Sequence, residues 1–581
     1  MTDPHSTLLG QCIALYGPDA GAQTHTLLQA LISVHQMQPS HAPDLTERDA
    51  MLIAYGDHVR EPNVPPFRTL GKVCETYLGD AVPCLHILPF YPYTSDDGFS
   101  VSDYRAVDPA LGTWADVEQL ARRLRLMFDA VINHASTQHA WFQGFLKGDL
   151  RYQDYFVTVQ GNPDLTQVVR PRTLPLLTSF QTSADARQVW TTFSADQVDL
   201  NYGNPQVLLE IVDLLLFYAA QGAEFIRLDA IAYLWKEIGT ACIHLPQTHR
   251  AIQLIRAALD AAAPHVKLIT ETNVPHVDNV AYFGDGTNEA QLVYNFALPP
   301  LTLHTLRSGD ATLISEWASN LVLPTDQTTF FNFLASHDGI GLNPARGILS
   351  EPQIDELVTA AQRAGGKVGY KNNGDGTHSP YELNINYFDA LAVQGDDAES
   401  NDDSEDKSED QSINRFIAAH AIMFSLIGMP GIYFHSLFGS RGWPEGVAQL
   451  GHNRAVNREK LNLAELEETL RDRHSRRSRV LSRLTQLLRV RGQHAAFDPY
   501  GSQRIVKGIP STVVVQRIGR RSRQPVLCLI NVTNQPTQVS LPWRDLLGTD
   551  KAADDLVSSG RCMLHGLSVS MEPYQIRWLT A

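Results

Sequence analysis

The sequence has few cysteines. Its six, Cys12, Cys74, Cys84, Cys242, Cys528 and Cys562, stand in no CxxC pair and beside no histidine-rich stretch. Thiols scattered in this way argue against a zinc site or a disulfide framework, and all six are expected to be reduced. Long apolar runs are also missing. The most apolar stretch, AIMFSLIGMPGIYF, is short and broken by Gly and Pro, so no membrane span is predicted. The opening MTDPHSTLLGQC carries neither the basic nor the apolar region of a signal peptide, and a cytoplasmic location is predicted. Positive charge is in deficit, with 47 Lys and Arg against 63 Asp and Glu and a formal net charge of -16. Such a balance repels phosphate backbones and anionic headgroups, which excludes nucleic acid and membrane surfaces as partners. Half of the excess is local, because residues 396–410 hold nine carboxylates against one lysine.

What is present is a folding composition, 43% hydrophobic and 19% charged over 581 residues, too long for one simple core. Eight short apolar runs recur with amphipathic stretches between them: AMLIAYGDHV, CLHILPFYPY, LRLMFDAVINH, AEFIRLDAIAY, VKLITETNVP, AQLVYNFALP, TTFFNFLASHD and MPGIYFHSLFG. Parallel strands joined by crossover helices give this pattern, and eight of them predict an α/β fold, a (β/α)8 TIM barrel.

The barrel is expected over 49–134, 196–338 and 413–499, after an N-terminal helical extension at 1–48. An inserted lid subdomain is expected over 135–195, a second inserted loop region over 339–411, and a C-terminal antiparallel β-domain over 500–581. The acidic segment 395–412 is expected to be disordered.

Active sites of such barrels gather at the C-terminal strand ends. Four endings there carry ionisable groups: DAVINH (Asp129 to His134), FIRLDAI (Phe225 to Ile231), LITETN (Leu268 to Asn273) and FLASHD (Phe333 to Asp338). Arg227, two residues from Asp229 on one strand, faces the same way and is expected to keep that carboxylate ionised, whereas Glu271 is expected to be desolvated with a raised pKa. Two carboxyl groups in opposite protonation states are what a retaining glycosidase requires.

These four motifs, in this order, resemble those of the α-amylase superfamily. The resemblance implies Asp229 as nucleophile, Glu271 as general acid/base and Asp338 as transition-state stabiliser, with Arg227, His134 and His337 touching the glucose. The segment LHILPFYPYTSDDGFSVSDYRAVDPALGTWADV further resembles sucrose phosphorylase and related disaccharide phosphorylases, including those of sucrose 6-phosphate and glucosylglycerate. From this likeness Asp96 grips the glucose and Phe99 belongs to its pocket. RPRTLPLL and SPYELNINYFDAL resemble acceptor-side loops of that group, which puts Arg172, Tyr381 and Glu382 where phosphate or the leaving group is handled.

Arg454 and Arg458, in HNRAVNRE, could reach an anion at the barrel mouth, and His378 is a further acceptor-side candidate. The implied reaction is reversible phosphorolysis of a small α-glucoside to α-glucose 1-phosphate. Its partners are a sugar and inorganic phosphate, and no cofactor or metal is expected; Asn133 is read as a structural hydrogen-bonding residue. Glycerate, fructose 6-phosphate, fructose and glycerol remain open as leaving partners, with an anionic one favoured by the basic loops. A hydrolase or transglucosidase would use the same carboxylates, and an inactive binding protein would lack one of them. Oligomeric state is not legible.

Overall fold

A computed structural model describes residues 4–36, 44–373, 377–392, 404–564 and 568–581. Eight strands close into a parallel barrel: β1 (Met51–Ala54), β2 (Cys84–Ile87), β3 (Arg125–Ala130), β4 (Ala223–Leu228), β5 (Lys267–Thr270), β6 (Leu292–Tyr294), β7 (Thr329–Phe333) and β8 (Met429–Tyr433). Each comes from one of the eight apolar runs, and neighbours in sequence are neighbours in the barrel. Strands buried on both faces must be apolar nearly throughout, and β1, β2, β7 and β8 are buried at every position. Space inside the ring is tight. A Cβ on Gly431 of β8 would lie 2.4 Å from the Phe331 ring of β7.

The crossover helices carry their own start signals. The helix Pro205–Ala220 begins at Asn204, whose side chain accepts from the Gln206 N–H, and has proline in its first turn. Ahead of the barrel, helices Pro4–Tyr16 and Pro18–Val34 form a hairpin against the helices Pro205–Ala220 and Pro246–Ala262. His35 Nε2 meets Asp213 at 2.6 Å and Gln11 bonds Gln253 at 2.9 Å across this contact.

After β3 the chain leaves the barrel through the strand His134–Ser136 and returns through Gln197–Asp199, which pairs with it antiparallel. The insert between them holds the helix Ala140–Lys147 and a three-stranded sheet of Thr158–Val159, Ala186–Trp190 and Leu177–Gln181. After β7 a second excursion contains the helix Glu351–Arg363 and the hairpin Lys367–Asn372 with His378–Asn384.

The acidic segment differs from expectation. Its first residues, 395–403, lie outside the described residues, but from Ser404 the chain is helical to Ser425. The apolar positions Ile413, Phe416 and Ile417 of this helix are buried, and a neighbouring basic helix, Arg476–Gly492, supplies countercharge. Arg476 meets Glu409 at 3.0 Å and Arg479 meets Asp410 at 2.6 Å.

Beyond residue 500 a six-stranded antiparallel sheet and a two-stranded pair make a β-domain with its own apolar core around Val514, Leu529 and Trp543. No described helix is long and apolar enough to cross a membrane. All six cysteines are free and buried.

Candidate active site

The strand ends converge on Arg227. In the parallel register of β3 and β4, Arg227 stands opposite Asp129, and the two form a buried ion pair. Asp129 is also met by His86 Nε2 at 2.6 Å. From this anchor the guanidinium donates to Asp229 Oδ1 at 2.8 Å and lies 3.9 Å from Glu271 Oε2. Its central carbon sits 5.8 Å from the Phe99 ring and 5.5 Å from the Tyr294 ring. One fixed cation therefore holds two carboxylates at the barrel mouth. Directly after Asp229, Ala230 adopts φ 48° and its N–H donates to Glu271 Oε2 at 2.9 Å. A non-glycine residue in this left-handed region stores strain, which here aims an amide at the second carboxyl.

The carboxyls differ in proton affinity. Burial pushes Glu271 up to about 7, against the pull of Arg227 and with further upward pushes from Asp229 and Asp338. Asp229 is raised as well, because burial outweighs Arg227. Arg227 pulls this carboxyl toward the ionised form, as expected, without bringing it below its ordinary value. Asp338 goes the other way: burial raises it, but Arg454, Arg458 and Arg227 together hold it below the usual carboxylate range. Arg454 Nη1 meets its Oδ1 at 2.5 Å and Arg458 Nη2 lies 3.7 Å away.

These carboxylates line an inner cavity whose wall also includes Asp96, Phe99, His134, His337, Arg172, Tyr381 and Arg454. The turn that presents Asp96 is unusual: Asp96, Asp97 and Gly98 have φ of 53°, 47° and 108° in succession. A Cβ on Gly98 would lie 2.7 Å from the Pro89 carbonyl oxygen, so the turn closes only with glycine there. Phe99 then stacks on His337 with centroids 4.8 Å apart, and its carbonyl accepts from His134 Nε2 at 2.9 Å.

Outside this cavity lies a vestibule sharing Asp96, Arg172, Tyr381 and Arg454 with it and adding Leu174, Tyr370 and His452. The arginines there are not equivalent. Arg454 grips Glu382 through two bonds of 3.0 and 2.8 Å besides its contact to Asp338. Arg172 has no carboxylate at ion-pair distance among the described residues.

Two expected acceptor residues, Arg458 and His378, line neither cavity, and a third, Glu382, lines the vestibule already engaged with the protein. Arg458 is buried behind the site, donating to the His337 carbonyl at 3.0 Å and pairing with Asp97 at 2.5 Å, so it lines neither cavity. Glu382 lines the vestibule with both oxygens engaged, accepting from Arg454 and from the Gly339 N–H at 2.8 Å. A carboxylate committed in this way is a strut for Arg454. His378 is exposed at the start of its hairpin strand and lines neither cavity.

Other wall residues were not anticipated, among them Phe193, Gln197, Tyr233 and Asn273. Tyr233 and Asn273 follow Asp229 and Glu271 on the same strand endings, a signal that was present. Asn133 makes structural bonds: its Oδ1 accepts from Lys236 Nζ at 2.8 Å.

Comparison with known proteins adds to this geometry. The α-amylase catalytic-domain family model matches residues 77–339. The glucosylglycerate phosphorylase of Allomeiothermus silvanus is 51% identical over 86% of this chain and 88% of its own length. That of Escherichia coli K12 is 43% identical over 97% and 98%. The sucrose phosphorylase of Agrobacterium vitis is 31% identical over 78% and 89%. Among solved structures, the sucrose 6F-phosphate phosphorylase of Thermoanaerobacter thermosaccharolyticum superposes with a TM-score of 0.73 at 24% identity, covering 92% of this chain and 99% of the other, a likeness of fold.

Proposed function

The chain belongs to the α-amylase superfamily, in its sucrose phosphorylase-like group, and we propose that it is a retaining phosphorylase converting glucosylglycerate and phosphate to α-glucose 1-phosphate and glycerate. Asp229 attacks the anomeric carbon while Glu271, protonated because burial raises it, gives its proton to the leaving glycerate oxygen. The bond to glycerate breaks as the bond to Asp229 forms. A phosphate oxygen then displaces Asp229, Glu271 takes up the phosphate proton, and the second inversion restores the α configuration. Asp338, kept ionised by its arginines, favours the cationic transition state.

The observation that carries the choice of acceptor is Arg172. The cations around it are neutralised by Asp338, Glu382, Asp96 and Asp97, whereas Arg172 faces both cavities without a carboxylate partner among the described residues. A planar guanidinium in that state suits the two oxygens of a phosphate or a carboxylate. Phosphate and glycerate each bring such a group, one to each half-reaction. The relatives that are glucosylglycerate phosphorylases support glycerate over neutral acceptors. Six unpaired thiols support a reducing, cytoplasmic location.

The test is acceptor profiling in the synthetic direction, with α-glucose 1-phosphate and separately glycerate, fructose 6-phosphate, fructose and glycerol. Phosphate release enhanced most by glycerate is expected. In Arg172→Ala the glycerate-dependent kcat/KM should fall at least about tenfold, the value of one lost charge-assisted contact, and fall less with glycerol. Release independent of every acceptor would instead indicate a hydrolase.

A further inference from the structure

The chemistry proposed above makes no use of the most deeply buried lysine contact in the barrel mouth. Lys236 follows Asp229 by one short turn, past the 3-10 segment Ile231–Tyr233, and its side chain is 3% exposed. Its Nζ meets Asp199 Oδ2 at 2.6 Å and donates to Asn133 Oδ1 at 2.8 Å, and both partners are fully buried.

Those two partners mark the ends of one insertion. Asn133 is the last residue before the outgoing strand His134–Ser136, and Asp199 is the final residue of the returning strand, directly opposite His134 in the register. Asp199 also accepts from the Thr192 backbone N–H at 3.0 Å and from the Thr192 hydroxyl at 2.6 Å, which ties in the end of the lid sheet. A single ammonium thus joins the loop behind Asp229 to both roots of the lid.

The same contact dictates proton positions in the pocket wall. An ammonium only donates, so the Asn133 oxygen must face Lys236 and its Nδ2 must face the other way. There Nδ2 lies 3.2 Å from Asp199 Oδ2 and 3.3 Å from His134 Nδ1. The Phe99 carbonyl can only accept, so its 2.9 Å contact puts a proton on His134 Nε2 and leaves Nδ1 to accept from the Asn133 amide; Gln197 Nε2, 3.2 Å from His134 Nε2, donates to the same carbonyl at 3.1 Å. His134, Phe99, Phe193 and Gln197 all line the inner cavity and all hang from this cluster or from the strands it fastens.

We propose that Lys236 is a positioning residue: a buried ammonium that clamps both roots of the lid and, through the Asn133 amide, fixes the His134 ring in the wall of the glucose pocket. Neutral side chains of the same size fill the space but neither fix the amide nor pull the two roots together. The proposal depends on the glucose pocket alone and not on which acceptor the enzyme uses.

Two variants test it, assayed with α-glucosyl fluoride, a donor that reports the pocket whatever the acceptor. Lys236→Met leaves Asp199 buried and unpaired, which endangers folding, so Lys236→Met/Asp199→Asn removes both charges at nearly constant volume. In the folded double variant the KM for the fluoride should rise about tenfold with a smaller change in kcat, the pattern of a displaced binding wall. Backbone amides of 134–136 and 197–199 should exchange hydrogen faster than in the wild type. A folded double variant with wild-type KM and exchange overturns the proposal, as does a fall in kcat without a rise in KM. Failure of glycerate-dependent phosphate release would leave this result intact, since the fluoride needs no acceptor but water.

Discussion

The group whose protonation the site controls most directly is Glu271. It must be protonated to release the leaving group, and burial puts its pKa at about 7. The fraction in the acid form therefore falls as pH rises through that value. The expected profile for kcat/KM with glucosylglycerate is a decline above about pH 7, approaching tenfold per pH unit. With α-glucosyl fluoride, whose leaving group needs no proton, Glu271→Gln should form the glucosyl-enzyme with no alkaline decline between about pH 6 and 8. A decline that persists in Glu271→Gln would transfer the titration to another group. At this scale the sequence was legible for residues on strand ends, because a two-residue spacing puts Arg227 and Asp229 on one face. It was not legible for Arg458, Glu382 and His378: that loop charges are present says nothing about which are already spent on each other. Asp129 lay in a recognised motif, and only the pairing of β3 with β4 reveals it as the anchor of Arg227.

Among the elements, the turn from Asp96 to Gly98 couples backbone strain to the sugar pocket. Three successive positive φ values set Asp96 at the cavity, Asp97 on Arg458 and Phe99 on His337. Gly98→Ala adds a Cβ 2.7 Å from the Pro89 oxygen at φ 108°, and the turn must shift to admit it. The expected cost is about 1 to 3 kcal/mol of stability, with a raised KM for the glucosyl donor because Asp96 and Phe99 move together. Chemical denaturation and steady-state kinetics check both; a variant with wild-type stability and KM would mean that the turn is slack. The barrel strands were legible as elements because burial on both faces leaves little room for polar residues. The helix beginning at Ser404 was not, since the acidic composition of its start outweighs the apolar positions that bury its later turns.

For the molecule as a whole, one face of the C-terminal sheet, with Val513, Val515, Cys528 and Trp578, joins the apolar core of the barrel; the buried Arg517 adds polar bonds across that seam, and Arg491 ties barrel segments together beside it. Arg517, on the strand Thr512–Ile518, donates to the carbonyls of Ser425 and Leu426 just before β8, and to those of Asp498 and Ser502. Arg491 donates to the carbonyls of Glu47 and Asp49 before β1 and of Gly428 before β8. Burial lowers these guanidiniums to about 10 and about 9; Arg517 pushes Arg491 down further, whereas Asp498 pulls both back up, and both remain charged at neutral pH. Together they satisfy peptide oxygens at the barrel end opposite the active site, where chain segments arrive without strand partners. An apolar residue at position 517 leaves the Asp498 oxygen its bond from the Gly501 N–H at 2.9 Å but strips the Ser425 and Leu426 oxygens of their Arg517 donors, at about 1 to 3 kcal/mol apiece. Arg517→Met should therefore lower the stability of the whole chain by at least about 3 kcal/mol and split a single calorimetric transition into separate melting of β-domain and barrel. Activity measured below the first transition should stay near that of the wild type, because the active site lies at the other end of the barrel. One unsplit transition at the wild-type temperature would show that apolar packing alone joins the two domains.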